Sequence, residues 1–441
     1  MGRVRRIGIF GPLIGACLLA ACGDGIDERY TGDAPTEVTA TTTTAPLPAK
    51  LAPEMLDIRR RYTNATYSGA HRAVELPGGG YLLVGFDNSS DLGQPERGAV
   101  WRSPDLINWT RTGRDISDRP NQQSITDLVV VGEAVVAVGV DYSRNGSSSL
   151  ASRDAVAWLS DDLGEHFRKV EIERNAGIWG VTVVGEQLIA FGDQELSDDT
   201  SSGRLWFSSD GGETWTGSTP LAAVTPGEPA VALVTVHQLL AVGDDLVLVG
   251  DSAATDPAQG DSTYPAFDST AFPWAPMDIA LWWSSDGGVT WRAAAPRGLA
   301  GLEWAQIAVD AVVAGDRLVV LGGSGAPREG DSWTPQAWVC DIVLQHCTVL
   351  AVSSANGEFA DGVLVADGNL VYGSSRSFSY DSNSQHDLVF TIDPVSVQVR
   401  KGSIPGEIQQ IEALLVVDGR LILFGNGTRD NKIAVAAADL T

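Results

Sequence analysis

The sequence predicts an all-β fold, a seven-bladed β-propeller of four-stranded antiparallel blades closed by strands from both termini. Three observations carry that expectation. A short apolar phrase ending in glycine recurs seven times. A Trp-x-Ser signature follows it in four of the repeats. The last repeat stops one strand short, while a strand-like stretch with no blade of its own precedes the first.

The phrase ends at Gly85, Gly139, Gly192, Gly250, Gly322, Gly373 and Gly425, at intervals of 54, 53, 58, 72, 51 and 52 residues. Self-similarity at such a period signals a unit that buries its faces only against copies of itself. Before each phrase come a turn and another apolar strand, as in "LVVVGEAVVAVG", "LLAVGDDLVLVG" and "LLVVDGRLILFG". Gly-Glu, Gly-Asp and Asp-Gly suit the positive φ of tight hairpin turns. The strands are Val/Leu/Ile runs rather than strict alternations, which places apolar neighbours on both sheet faces.

The third strand of a unit reads Trp101–Ser103, Trp158–Ser160, Trp206–Ser208 and Trp282–Ser284, with Trp338 before Cys340 in the fifth unit and Val389 before Thr391 in the sixth. An acid and a turn follow, and Trp109, Phe167, Trp215 or Trp291 opens the fourth strand. One long insertion, 251–278, accounts for the 72-residue interval. The segment "KIAVAAADL" (432–440) supplies the seventh unit's third strand, and then the chain stops. An open blade would leave an unpaired edge, so Leu56–Arg61 is expected to pair with Ile433–Ala437.

Two turns nearly repeat each other: "SSDGGETWTG" at 208–217 and "SSDGGVTWRA" at 284–293. Ser208, Asp210, Gly212, Thr214 and Trp215, and likewise Ser284, Asp286, Gly288, Thr290 and Trp291, resemble the Asp-box, or BNR repeat, of sialidases, xyloglucan-cleaving propellers, sortilin-type receptors and photosystem II assembly factors. "SPDLINW" and "SDDLGEHF" are degenerate copies. The resemblance implies a sialidase-like propeller. The residues themselves imply a structural staple: a carboxylate that accepts several backbone N–H groups, glycines at unusual φ, and a large flat Trp wedged between blades. A group repeated once per blade is a poor candidate for a single catalytic acid.

The amino terminus decides the expected compartment. Arg3, Arg5 and Arg6 precede an apolar run over 7–21 that is too short to be designed as a membrane span. The run ends in Leu19-Ala20-Ala21-Cys22-Gly23, which resembles the lipobox of bacterial lipoproteins. That resemblance implies a signal peptide over 1–21, acylation of Cys22 and export. Residues 22–50, with "TATTTTAPLPA", read as a Thr/Pro-rich disordered tether, and 51–441 as the propeller. The signal's three arginines leave with it, taking the net charge from −26 to −29. Such a field repels nucleic acid and anionic lipid headgroups. The membrane is therefore a partner through the lipid alone, and the body is expected to be a monomer.

Cys340 and Cys347 flank "DIVLQH" between two strand-like stretches, where an exported protein places a hairpin disulfide. No metal or cofactor is expected: two cysteines without a neighbouring histidine pair make a poor zinc site. No HExxH, GxSxG or P-loop appears. The Phe/Tyr-Arg-Ile-Pro motif of sialidases is absent, and "DIRRRYTN" lacks its proline.

Two places remain for binding. Long loops (86–98, 140–154, 193–203, 251–278, 323–335, 374–387) gather opposite the Asp-box turns and carry aromatics such as Tyr142, Trp274 and Trp333. Counting twelve residues back from each marker glycine reaches Ala73, Asp127, Gly180, Gln238, Asp310, Asp361 and Ala413. Asp127, Gln238, Asp310 and Asp361 are thus expected to form a polar ring in the central funnel. The leading functional expectation is an extracytoplasmic, membrane-anchored binding or scaffold protein whose loop face recognises a glycan or a protein, the missing sialidase motif weighing against catalysis without deciding it. The alternatives are an exo-acting, sialidase-like glycoside hydrolase and an assembly factor for a membrane complex.

Overall fold

The structure is a computed structural model that describes residues 56–57, 65–89, 97–113, 116, 123–142, 153–195, 201–218, 222–223, 231–253, 277–294, 296–299, 305–325, 333–353, 359–379, 384–402, 408–427 and 433–440. The chain divides into two units, Met1–Thr36 and Glu37–Thr441, and every described residue belongs to the second. Cys22 and the tether lie outside the described residues.

Seven antiparallel sheets form the seven blades, each strand pairing with the next in sequence except at the closing blade. Blade 1 comprises Ala65–Glu75, Tyr81–Ser89, Arg97–Ser103 and Thr110–Thr112. Blade 2 comprises Gln123–Val131, Ala134–Asp141, Asp154–Ser160 and Arg168–Arg174. Blade 3 comprises Ala176–Val184, Gln187–Glu195, Ser201–Ser208 and Thr216–Gly217. Blade 4 has Val231–Val242, Asp245–Ala253, Met277–Ser284 and Arg292–Ala294, with an additional short strand, Ala222–Ala223, on the channel side of its first strand. Blade 5 comprises Ala305–Ala314, Arg317–Gly325, Trp333–Asp341 and Cys347–Ala351. Blade 6 comprises Phe359–Asp367, Leu370–Ser379, Ser384–Asp393 and Gln398–Gly402.

Blade 7 is closed by both ends of the chain. Ile408–Val417, Arg420–Gly427 and Ile433–Asp439 supply three strands, and Leu56–Asp57 supplies the fourth. Leu56 pairs with Val435 and Asp57 with Ala434. The expected pairing is therefore present at Leu56 and Asp57, while 58–61 lie outside the described residues. At the closing seam Trp109 of blade 1 packs edge-on against Phe424 of blade 7, with ring centroids 5.7 Å apart.

There is no single core. The buried apolar side chains form seven clusters, one at each seam between neighbouring blades. Successive residues of a second strand serve opposite seams: Leu82 packs toward blade 2, and Leu83 toward blade 7. Hence these strands read as unbroken apolar runs. The Trp of the third strand plugs the seam with the preceding blade, and Trp158, Trp206 and Trp338 are fully buried. In blade 6 this place belongs to Phe390, followed by Ile392 at the serine's place, and not to Val389 and Thr391.

The marker glycine has a steric cause. The first strand bulges opposite it in six blades, for example between Ile125 and Asp127 opposite Gly139. The bulge swings a carbonyl toward the second strand. A β-carbon on Gly139 would lie 2.0 Å from the Ser124 oxygen, and one on Gly425 would lie 1.8 Å from that of Gln410. Only glycine fits such an approach.

The tryptophans that open the fourth strands differ from expectation. Trp109 is buried, but Trp215 and Trp291 are only half-buried at the edges of their seams. Both stand beside a surface turn, where the seam covers them only in part. Two substitutions separate the roles by urea unfolding. Trp338→Ala should cost about 3–5 kcal/mol as a large-to-small change in a sealed seam. Trp291→Ala should cost about 1–2 kcal/mol, within the ordinary range for a partly exposed residue. Equal losses would show that the fourth-strand Trp is as much a core residue as the third-strand Trp.

Candidate functional site

The short turns and the long loops lie at opposite ends of the blades. At the short-turn end, the residues of the two SSDGG turns bond to one another. Ser208 Oγ donates to Asp210 Oδ1 at 2.8 Å and accepts from the Gly212 N–H at 2.9 Å. The Asp210 carboxylate accepts from the Thr214 N–H at 3.0 Å and from its hydroxyl at 2.6 Å. Trp215 Nε1 donates to the Gly212 carbonyl at 2.9 Å. Ser284, Asp286, Gly288, Thr290 and Trp291 repeat these bonds within 0.1 Å. The less regular copies keep the same turn: Asp105 accepts from the Ile107 and Asn108 N–H groups, and Asp162 from those of Glu165 and His166. Leu106 and Leu163 take φ of 63° and 55°, where the regular turns have Gly211 and Gly287. These carboxylates are spent inside their own turns.

Blade 5 fastens the corresponding turn covalently: Cys340, at the serine's place, is disulfide-bonded to Cys347 directly across the strand pair.

The other chemistry lies in the channel lined by the first strands. In six blades the bulge frees one side chain, and in three of them that side chain bonds directly to the next blade. His71 Nδ1 donates to the Ile125 carbonyl at 2.6 Å, which fixes its tautomer because a carbonyl only accepts. Thr126 Oγ1 donates to the Ile178 carbonyl at 2.8 Å. Glu412 accepts from the Ala70 N–H at 2.7 Å across the closing seam. His237 Nε2 meets Asp251 Oδ2 at 2.6 Å, and Asp251 Oδ1 accepts from the Ala308 N–H of blade 5. Burial pulls the His237 imidazole down, but the Asp251 charge and hydrogen bond outweigh it and lift its pKa above the ordinary value. Burial lowers the His71 pKa below its ordinary value, against the hydrogen bond to Ile125.

One position past the bulge stand Arg72, Asp127, Gly180, Gln238, Asp310 and Ala413. Asp127 Oδ1 accepts from the Leu128 N–H at 2.8 Å, and Oδ2 from the Val181 N–H of blade 3 at 3.1 Å. Asp310 accepts from Ala311 N–H, from Gln238 Nε2 at 3.1 Å and from the Leu364 N–H of blade 6 at 2.8 Å. Burial raises the pKa of both carboxyls against those hydrogen bonds, and the Arg72 charge holds both down. Arg72 Nε lies 3.5 Å from Asp127 Oδ1, while half of the side chain is open to the channel. Near the loop end Trp179 sits at the bulge of blade 3, with the Arg153 guanidinium 5.3 Å from its ring centroid. Arg153 pairs in turn with the buried Asp193.

Three of the four expected funnel residues thus share the channel wall, and Asp361 does not belong with them. It pairs with Arg376, and Val363 holds the place that Asp127 holds in blade 2. Blade 6 has no bulge, and its marker Gly373 lies two positions nearer the hairpin than the others do. Counting back from it therefore lands two residues too early. In blade 1 the place belongs to Arg72 rather than Ala73, because that hairpin is longer. Counting thirteen residues back instead of twelve reaches Thr126, Trp179, His237 and Glu412, so a signal for the bulge residues was present. Much of the loop end, including 143–152, 254–276 and 326–332, lies outside the described residues. Among those described, no three His, Cys, Asp or Glu side chains are grouped to hold a metal ion.

Neither a family model nor a curated relative matches the sequence. Solved structures are similar in fold. The α-L-arabinanase of Penicillium chrysogenum, solved with arabinobiose, matches 92% of this chain and 99% of its own at 13% identity and a TM-score of 0.45. A xyloglucanase from Xanthomonas campestris matches 87% of this chain and 53% of its own at 13% identity and a TM-score of 0.49. A Trypanosoma rangeli sialidase, solved with sialic acid, matches 88% and 59% at 9% identity and a TM-score of 0.46. The likeness is one of fold.

The turn carboxylates make a pH prediction. Hydrogen bonds from Thr214 and Ser208, and from Thr290 and Ser284, hold Asp210 and Asp286 down at about 2. A depressed carboxylate contributes stability that is complete above its unfolded value, about 4, and is lost as the pH falls toward 2. The native melting temperature should therefore fall more steeply between pH 4 and 2 than that of the Asp210→Asn/Asp286→Asn variant. Parallel curves would show that other groups carry the acid sensitivity.

Proposed function

We propose that this chain is a lipid-anchored, extracytoplasmic binding protein whose ligand, a glycan or a protein, is recognised at the loop end of the propeller and in the adjoining channel. The observation that carries this reading is Arg72. Its side chain is 51% exposed on the channel wall, and its terminal nitrogens have no hydrogen-bond partner among the described residues. Gln238 lines the same wall, and Trp179 stands at the bulge of blade 3 with its ring packed at the seam with blade 4. A guanidinium with unspent donors and an amide are groups that bind hydroxyl-rich or charged ligands. The short turns opposite read as Asp-boxes that staple the scaffold. A hydrolase is the second reading, because Asp127 and Asp310 are two channel carboxyls with raised pKa values. Their oxygens already receive backbone N–H bonds across the blade seams, which favours binding over acid–base catalysis.

The anchor is tested first. Cys22→Ala should abolish labelling with a palmitate analogue and should leave either uncleaved precursor or protein in the aqueous phase of a detergent partition. Unchanged labelling would refute lipidation at that residue.

The site is tested with the full-length protein in detergent on a glycan array, followed by titration calorimetry of any hit. Arg72→Gln should weaken binding at least tenfold with the melting temperature held within a few degrees. Release of reducing sugar from a bound glycan would replace the binding reading with the hydrolase. Full binding by Arg72→Gln would move the site out of the channel.

A further inference from the structure

The short-turn face has its own surface chemistry. Each blade places one exposed carboxylate at or beside its inner hairpin turn: Glu75, Glu133, Glu186, Asp244, Asp316, Asp367 and Asp418. They encircle the channel mouth at this end. The basic side chains nearby are largely occupied: Arg102 pairs with Glu165, Arg168 with Glu213, and Arg317 lies beside Asp316.

Outside that ring the turns between third and fourth strands present apolar tips. Val289 is 79% exposed, Val395 64%, Val343 61% and Ile107 48%. They occupy blades 4, 6, 5 and 1, whereas Glu165 and Glu213 hold the tips of blades 2 and 3. Val131 and Leu370 add exposed apolar surface at the inner turns. The two kinds of group belong to one rigid face, because every turn is fixed by its own hydrogen bonds.

We infer that this face docks a cationic protein segment with apolar side chains flanking its charges. Charge decides the occupant. A ring of exposed carboxylates, of which Asp316 is paired with Arg317, on a strongly acidic body attracts Lys and Arg and repels an anionic bilayer. The apolar tips then supply the contacts that a purely ionic partner would leave unused. Leu56–Asp57 runs antiparallel to Ile433–Asp439, from the short-turn end toward the loop end. The inference is independent of the ligand proposed at the loop end and of Arg72.

The test uses full-length protein in detergent and a fluorescein-labelled peptide of alternating lysine and leucine, with a lysine–serine peptide as control. The native protein should bind the lysine–leucine peptide at least tenfold more tightly than the control. The Glu133→Gln/Glu186→Gln/Asp244→Asn/Asp367→Asn variant should lose tenfold or more. The Val289→Ser/Val343→Ser/Val395→Ser variant should lose about fivefold toward the lysine–leucine peptide alone. All substitutions lie at exposed turns, and matching melts check that both variants are folded. Equal binding of the two peptides, or no loss in either variant, would overturn the inference. So would sedimentation of the delipidated Cys22→Ala protein with phosphatidylglycerol vesicles that the triple serine variant abolishes, since the face would then be a bilayer contact.

Discussion

The Ser124 carbonyl lies where Gly139 would carry a β-carbon, and the same approach recurs at Gly85, Gly192, Gly322 and Gly425. Much of the molecule depends on that contact. A bulge in the first strand produces it, and glycine in the second strand permits it. The extra residue of the bulge no longer has to serve the ladder within its blade. In blades 1, 2 and 7 its side chain crosses to the next blade, as His71, Thr126 and Glu412 do. In blade 4 it is His237, which reaches blade 5 through Asp251. One local distortion, repeated, converts independent sheets into a ring with polar bonds at its inner edge and apolar clusters behind them.

The same arrangement separates structure from chemistry in the channel. Raised carboxyl pKa values usually direct attention to catalysis. At Asp127 and Asp310 the cause is burial, and the opposing hydrogen bonds come from backbone N–H groups of neighbouring blades. Hydrogen bonds to a charged group are worth about 1.5–3 kcal/mol each. Removing such an acceptor also strands a buried N–H. The two aspartates are therefore committed to the ring before any ligand arrives. Arg72 is not: it faces both carboxylates from the first blade and keeps its terminal donors free among the described residues.

The blades, their count and the closure at Leu56–Asp57 were legible because each rests on a periodic signal with a steric or hydrogen-bonding cause. The site was legible only in part. Blade 6 has a glycine at the expected interval, yet Gly373 faces the Phe390 ring and not a bulge carbonyl. A marker residue read from sequence carries no record of which contact requires it, so Asp361 was placed where Val363 stands. Arg72 was missed by one position because a longer hairpin, Leu76–Gly80, shifts the count in blade 1. The burial of Trp215 and Trp291 was overestimated for a different reason. Sequence shows that an aromatic ring begins a strand, but how far it enters a seam depends on the neighbouring blade.

The turns at Leu106 and Leu163 show how little of the short-turn face is left to vary. Both residues adopt left-handed φ values that cost an L-residue roughly 1–2 kcal/mol. They hold them because the preceding aspartates, Asp105 and Asp162, still collect the N–H groups of the turn. The carboxylate, not the glycine, thus dictates the path. The Ser or Cys before it and the aromatic after it are tied into the same bonds or seams. The tip of each turn takes no part in these bonds, and at two of them Glu165 and Glu213 pair with Arg102 and Arg168 of the preceding blade. Ile107, Glu165, Glu213, Val289, Val343 and Val395 differ in charge and size, although the backbone turns of blades 2, 3 and 4 match. A repeat that fixes every other position leaves its surface chemistry to be written there, blade by blade.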